Sequence, residues 1–298
     1  MTDLFGPAVA ARSTAVGWQP PAGIAPRGTL LILPGRGEHP LVYERFGRRL
    51  SADGYVVHAL GTTPEDGTDE VLAHAAGVAG PGPVAPVVLV GSDTGALQAL
   101  HAAAATDPRL PVGGIVVAGA APTGDVARPA TGDVARPQSG RVAEPPAGGA
   151  AEPPAGAVAG PPAGTAGTAG TAGASAWETE LAARTACPTH RKRLSEDQGF
   201  VRGQLTAPVP AHLLAEARPD IPALILHGGA DPVTPPEHAR DRAAGLPRAI
   251  LSVLREGLHD VLNDASHRTT AAAVVLWLER LRADPGLRPI LTVETGDL

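Results

Sequence analysis

An aspartate occupies the centre of Val90-Gly91-Ser92-Asp93-Thr94-Gly95-Ala96, with a glycine two places away on each side. Small-x-nucleophile-x-small is the pattern of a tight strand-to-helix turn, because the central residue is strained and only small neighbours let the backbone reverse so sharply. The glycines set the register on Asp93 and leave Ser92, one place off centre, as the fallback nucleophile. A carboxylate attacks an sp³ carbon bearing a leaving group to form an alkyl ester on the protein, whereas attack on an ordinary ester carbonyl would give a reactive mixed anhydride. Two more residues follow in the order nucleophile, acid, histidine: Asp231 in His227-Gly-Gly-Ala-Asp231-Pro-Val-Thr, and His259 in Gly257-Leu-His259-Asp-Val-Leu-Asn-Asp264.

The elements around these residues must hold them in place. The apolar, β-branched run Val84 to Val90 reads as the strand before the turn, and the Ala/Leu-rich Ala96 to Ala105 as the helix after it. Upstream, Gly28 to Leu33 is a short apolar strand ending in Pro34-Gly35-Arg36-Gly37-Glu38-His39, Tyr43 to Ala52 an amphipathic helix, and Tyr55 to Leu60 a strand. Val71 to Ala79 predicts a helix and Val112 to Ala118 a strand. Downstream come strands at Ile221 to Leu226 and Ala249 to Leu254, and helices at Glu237 to Ala244 and Thr270 to Arg282. Short apolar strands alternating with helices mean an α/β fold, a mostly parallel sheet covered on both faces. Asp231 and His259 each follow a strand, at the carboxyl end where open sheets place their ligand crevices.

On these residues the chain resembles the α/β-hydrolase superfamily over nearly its whole length outside a repeat segment. The flanks are similar to the monoglyceride lipase and lysophospholipase-like group: Pro34-Gly35-Arg36-Gly37-Glu38-His39 and Tyr43 match its oxyanion loop and following helix, and Gly257 to Asp264 its histidine motif. That group carries a leading His where Pro34 stands and Ser at the elbow centre. Asp93 instead resembles the aspartate-nucleophile branch of dehalogenases and epoxide hydrolases, although that branch commonly has Trp or Arg where Thr94 stands. The resemblance implies an α/β-hydrolase fold with an inserted cap. It also implies a scheme in which His259, oriented by Asp231, activates water against the Asp93 ester, with the backbone N–H groups of Arg36 and Thr94 as oxyanion donors. Epoxide chemistry draws on cap tyrosines, and the two tyrosines, Tyr43 and Tyr55, both precede the cap. Trp177, Arg184, His190 and Phe200 are the cap side chains placed to contribute. The alternatives are a lipase- or esterase-like hydrolase with an altered nucleophile, and a non-catalytic binding protein on a hydrolase scaffold.

Composition narrows the partners. A formal net charge of -6 and no basic run longer than Arg191-Lys192-Arg193 argue against nucleic acid and anionic membranes and leave a small molecule as the expected substrate. The lone Cys187 makes no disulfide and has no zinc-type spacing around it, so a reducing cytoplasm is expected, with no metal and no cofactor. His39, His58 and His227 lack a carboxylate cluster and read as hydrogen-bonding or exposed histidines. Neither a signal-peptide pattern nor an apolar run of membrane-spanning length is present. The chain divides into a lead-in or edge strand at 1–27, a first core part at 28–121, a repeat insertion at 122–176, a cap at 177–217 and a second core part at 218–298. The insertion repeats Thr-Gly-Asp-Val-Ala-Arg-Pro, Glu-Pro-Pro-Ala-Gly and Thr-Ala-Gly, offers almost no large apolar side chains, and is expected to be disordered.

Overall fold

A computed structural model of the chain describes residues 15–105, 107–123 and 175–292. The expected disorder of the repeat insertion falls on residues that, but for its ends, lie outside that set, as does the first half of the lead-in.

Seven strands form one sheet in the order β1-β3-β2-β4-β5-β6-β7. They are β1 (Val16–Trp18), β2 (Thr29–Leu33), β3 (Val56–Ala59), β4 (Val87–Ser92), β5 (Val112–Ala118), β6 (Ala223–Gly228) and β7 (Ala249–Leu254). Strand β1 runs antiparallel along β3, and every other neighbour is parallel. The sequences of β2, β4 and β6 are apolar at nearly every position, and every residue in them is buried. That is the signature of strands covered on both faces.

Side-chain alternation sends the two halves of each strand into different layers. Leu30, Ile32, Val88, Val90, Val116, Leu224 and Leu226 join one cluster with Phe46 and Leu50 of α1 (Glu44–Ala52) and Val274, Trp277, Leu278 and Leu281 of α7 (His267–Ala283). Leu31, Leu33, Leu89, Val117 and Ile225 join the other with α2 (Thr68–Ala79), α3 (Thr94–Ala105) and α6 (Pro236–Gly245). The predicted mostly parallel sheet with helices on both faces is therefore present. Helices α2, α3, α6 and α7 start one to three residues earlier than predicted. Helix α2 begins before Val71 because the Glu70 carboxylate accepts the Gly67 N–H at 2.9 Å and caps it. Helix α3 begins at Thr94, directly on the turn.

Between the two core parts, α4 (Ala176–Arg184) and α5 (Pro188–Glu196) are regular, and the remainder to residue 217 is held by isolated 3₁₀ turns. Ser175 accepts the Glu178 N–H at the start of α4, and Pro188 opens α5. Among the described residues, no helix is long and apolar enough to cross a membrane.

The sharp turn is real. Asp93 has φ +51°, left-handed backbone that a non-glycine residue enters only when its surroundings enforce it. Gly91 lies against the Gly95 carbonyl and the Ala96 Cα, and Gly95 against the Leu33 and Pro34 carbonyls, so a Cβ at either site would collide with backbone. Neither clash can be relieved by a rotamer change. Gly95→Ala is therefore expected to cost about 3 kcal/mol, read as a melting temperature lowered by roughly 6–12 °C. An unchanged melting temperature in calorimetry would contradict this packing.

Candidate active site

The turn lifts the Asp93 side chain off the carboxyl end of β4. Two loops meet it there. Asp231 stands just beyond β6, where its Oδ1 accepts the N–H groups of Val233 (2.8 Å) and Thr234 (3.2 Å) in a short self-capping turn. This leaves its Oδ2 free for the Nδ1 of His259, 2.8 Å away. His259 follows β7 on a loop pinned by Asp264, which accepts N–H bonds from Leu258 and Ala186 and the Thr185 hydroxyl. The other ring nitrogen, Nε2, lies 3.3 Å from Asp93 Oδ1. The three residues read from the sequence as nucleophile, acid and histidine thus converge in one buried chain of contacts. Ser92 does not join it: it ends β4 opposite Ala118, with its hydroxyl turned toward Tyr43.

Arg36 does more than the sequence suggests. Its backbone N–H donates to Asp93 Oδ2 at 2.8 Å, in the predicted place. Its guanidinium also grips the same carboxylate side-on, Nε to Oδ2 at 2.9 Å and Nη2 to Oδ1 at 2.8 Å. The Thr94 N–H, the other predicted donor, makes no hydrogen bond to that carboxylate. Arg36 is held in turn by its neighbours: Nη1 donates to the Ala207 carbonyl, and its own carbonyl accepts Arg184 Nη2 at 2.7 Å. Glu38 steadies the same loop by accepting the Gly35 N–H at 2.7 Å and the Tyr43 hydroxyl.

Behind this lies a second buried set of charges. Arg184, fully enclosed, bonds to Glu180 at 3.0 Å and to Asp260 at 3.3 Å, and its guanidinium lies over the Phe200 ring. His190 faces Asp260 at 3.4 Å, and Phe200 packs on Trp177. Of the four cap residues singled out in the sequence, Arg184 reaches the Arg36 carbonyl, while His190, Phe200 and Trp177 connect to it only through Arg184 and its partners. His227 bonds to the Thr234 carbonyl with its Nε2 also 3.8 Å from Asp231 Oδ2, and His39 pairs with Asp197. Among the described residues, no group of His, Cys, Asp and Glu is arranged to hold a metal ion. A cavity of about 350 Å³ lies between β7 and α7, lined by Val253, Arg255, Thr269 and Ala273, and none of Arg36, Asp93, Asp231 or His259 borders it.

Electrostatics set the protonation of Asp93 and His259. Burial pushes the Asp93 carboxyl up, but the Arg36 charge and the His259 bond outweigh it and hold the carboxyl far below the usual carboxylate range. Burial likewise pulls His259 down, and the opposing pull of Asp231 and Asp93 pushes it up to about 10. At neutral pH the site therefore holds two carboxylates, a guanidinium and an imidazolium, a balanced set. Burial, helped by the charge of Asp260, pushes Glu38 up to about 7.

His259 carries the sign of the pH dependence: a group raised on folding stabilises the folded state below its unfolded value, near 6.5, and loses that contribution as pH rises through about 10. The His259 ring is expected to titrate near 10 in the intact protein, and distinctly lower in Asp93→Asn, which removes one of the two attracting charges. Imidazole ¹⁵N shifts followed from pH 6 to 11 measure both; a ring that titrates near 6.5 in both proteins would contradict this electrostatic picture.

The guanidinium of Arg36 and the Glu180 and Asp260 pairings of Arg184 were not read from the sequence. One signal was there: an arginine between two glycines in the loop that approaches an elbow whose centre is itself an acid.

The fold recurs in solved structures. The monoacylglycerol lipase of Paleococcus ferrophilus is 18% identical with a TM-score of 0.59, over 89% of this chain and 97% of that one. A soluble variant of the Saccharomyces cerevisiae monoglyceride lipase, in complex with a substrate analog, is 13% identical at TM-score 0.57, over 89% and 90%. A lipase-esterase related protein from Clostridium acetobutylicum is 13% identical at TM-score 0.54, over 88% and 98%. At these identities the likeness is one of fold. No curated protein sequence matches the chain. The model of the Alpha/beta hydrolase family matches residues 30–276, which takes in the elbow, the acid loop and the histidine loop. On that match the chain belongs to the alpha/beta hydrolase family, and with it to the hydrolases.

Proposed function

We propose that this hydrolase acts on a small organic substrate bearing a leaving group on an sp³ carbon, with Asp93 as nucleophile and the His259–Asp231 pair activating water. The observation that carries this reading is the single contact chain Asp93–His259–Asp231, with ring nitrogens at 3.3 Å and 2.8 Å from the two carboxylates. Asp93 Oδ1 forms the new bond to the substrate carbon and the leaving group departs with the electron pair, giving an ester on the enzyme. Until that moment His259 is an imidazolium and no base. Esterification erases the Asp93 charge, so one of the two attractions that keep the ring protonated disappears and the ring can release its proton. His259 then takes a proton from water, which attacks Cγ of the Asp93 ester, and the tetrahedral intermediate collapses to free Asp93 and the alcohol. General base and nucleophile thus act in order because they share one electrostatic balance.

Specificity rests on the cap side, where the Arg36 guanidinium reaches the Ala207 carbonyl and closes the site over Asp93. Substrate entry requires that segment to move. The buried, lone Cys187 agrees with a cytoplasmic setting. A second reading draws on a specific observation: both Asp93 oxygens already accept bonds from Arg36, which would suit a structural ion pair in a scaffold that binds without turnover.

His259→Gln separates the two. Incubated with 1-bromobutane, 1-iodobutane or bromoacetamide, that variant is expected to accumulate an alkyl ester on Asp93, located by peptide mass spectrometry, while the intact protein turns the ester over. Absence of any adduct on Asp93 with all three probes would overturn the nucleophile assignment and favour the ion-pair reading.

A further inference from the structure

The Arg36 side chain has no counterpart among the backbone oxyanion donors expected for this site, and its position relative to the two Asp93 oxygens is unequal in a way that bears on the second half of the reaction. Oδ1 accepts Arg36 Nη2 at 2.8 Å and is the oxygen that faces His259 Nε2, so it is the one next to the nitrogen that must serve water and the leaving alcohol. Oδ2 faces away from the histidine and receives two donors from one residue, the Arg36 backbone N–H at 2.8 Å and Nε–H at 2.9 Å. Two donors converging on the oxygen that is not attacked are the geometry of an oxyanion hole. The donor usually supplied after the nucleophile, here the Thr94 N–H, does not reach it.

We propose that the Arg36 Nε–H is the second oxyanion donor, so that Arg36 acts as a catalytic residue in ester hydrolysis through both its backbone and its side chain. This rests on Asp93 as nucleophile. In the first step Oδ1 bonds to the substrate carbon, the carbon–halogen bond breaks and halide leaves with its electrons. In the second, the water oxygen bonds to Cγ while His259 Nε2 takes the proton, and the Cγ=Oδ2 electron pair moves onto Oδ2. The new charge falls between the two Arg36 donors. Collapse restores the Cγ=Oδ2 bond and breaks Cγ–Oδ1 of the ester, the alcohol leaves with the proton from His259, and the Asp93 carboxyl, now carrying the water oxygen, gives its remaining proton to His259; with the proton the ring shed after esterification, the sum is alkyl halide and water to alcohol and hydrogen halide.

The side chain also has a cost in the first step, because a carboxylate held by a guanidinium is a weaker nucleophile than a free one. Removing it therefore moves the two steps in opposite directions. Loss of one oxyanion donor slows its step by about 10²-fold or more, while alkylation of the released Asp93 is no slower than before. A purely structural Arg36 would instead depress both steps together.

The test is the steady-state state of Asp93 with 1-bromobutane and bromoacetamide in three full-length proteins: intact, His259→Gln and Arg36→Gln. Arg36→Gln is expected to accumulate the Asp93 ester although His259 is present, with hydrolysis of the isolated ester slowed by about 10²-fold. Arg36→Lys keeps the charge but loses the fork, and is expected to accumulate the ester to a lesser degree; it serves as the readout if Arg36→Gln does not fold. If His259→Gln traps the ester and both Arg36 variants turn it over at the rate of the intact protein, the Arg36 assignment is wrong and the nucleophile stands. If His259→Gln traps nothing, the nucleophile reading falls and the Arg36 role falls with it.

Discussion

The site is governed by one buried charge pairing. Asp93 and Arg36 are almost wholly buried, and taking two such charges into the interior is costly unless each is met by hydrogen bonds as well as by the other. The fold meets that demand from both ends. The elbow fixes the carboxylate in left-handed backbone that only the close approach of Gly91 and Gly95 permits; in the loop after β2, Arg184 and Glu38 hold the backbone around Arg36, and the Ala207 carbonyl holds its guanidinium. Breaking a buried pair by deleting one partner typically costs about 3–5 kcal/mol, so the residues around Asp93 and Arg36 are bound to keep them together until a substrate alters the balance.

The same pairing accounts for the histidine. Arg36 holds Asp93 ionised, Asp93 and Asp231 hold His259 protonated, and the sum of the four charges is neutral. Each group is therefore in the charge state imposed by the next, and a change of charge at one carboxylate is felt by the ring. The second buried set, Arg184 with Glu180, Asp260 and His190, makes no side-chain hydrogen bond to Asp93, Asp231 or His259, although Asp260 follows His259 in the chain. It sets the Arg36 carbonyl, and it locks α4 to the histidine loop, where the Asp260 N–H donates to the Arg184 carbonyl at 2.8 Å. Cap and core are thus joined through the two arginines.

Much of this was legible in the sequence, for identifiable reasons. The glycine spacing around Asp93 carries a steric requirement, so register and turn could be read without neighbours; the apolar runs of β2, β4 and β6 carry a burial requirement, so a doubly covered parallel sheet followed. Asp231 and His259 were placed by their position after strands. The Arg36 guanidinium was not, because a long side chain between two glycines has no periodicity to reveal its direction, and only the tertiary approach of two loops aims it at Asp93. Thr94 was placed at the oxyanion by analogy of position; its N–H makes no hydrogen bond to Asp93, whose two oxygens accept the Arg36 guanidinium. The cap was the least readable part: beyond α5 it has turns in place of helices, and its contacts are long-range ion pairs that spacing does not encode.

The central claim is that Asp93 is the atom donor to the product. Turnover of 1-bromobutane by the intact protein in H₂¹⁸O, with enzyme in excess, measures it most directly. The account predicts that the first butanol carries unlabelled oxygen from Asp93 and that the Asp93 peptide gains one ¹⁸O. Label in the alcohol with Asp93 unchanged would mean that water attacks the substrate carbon directly, and would contradict it.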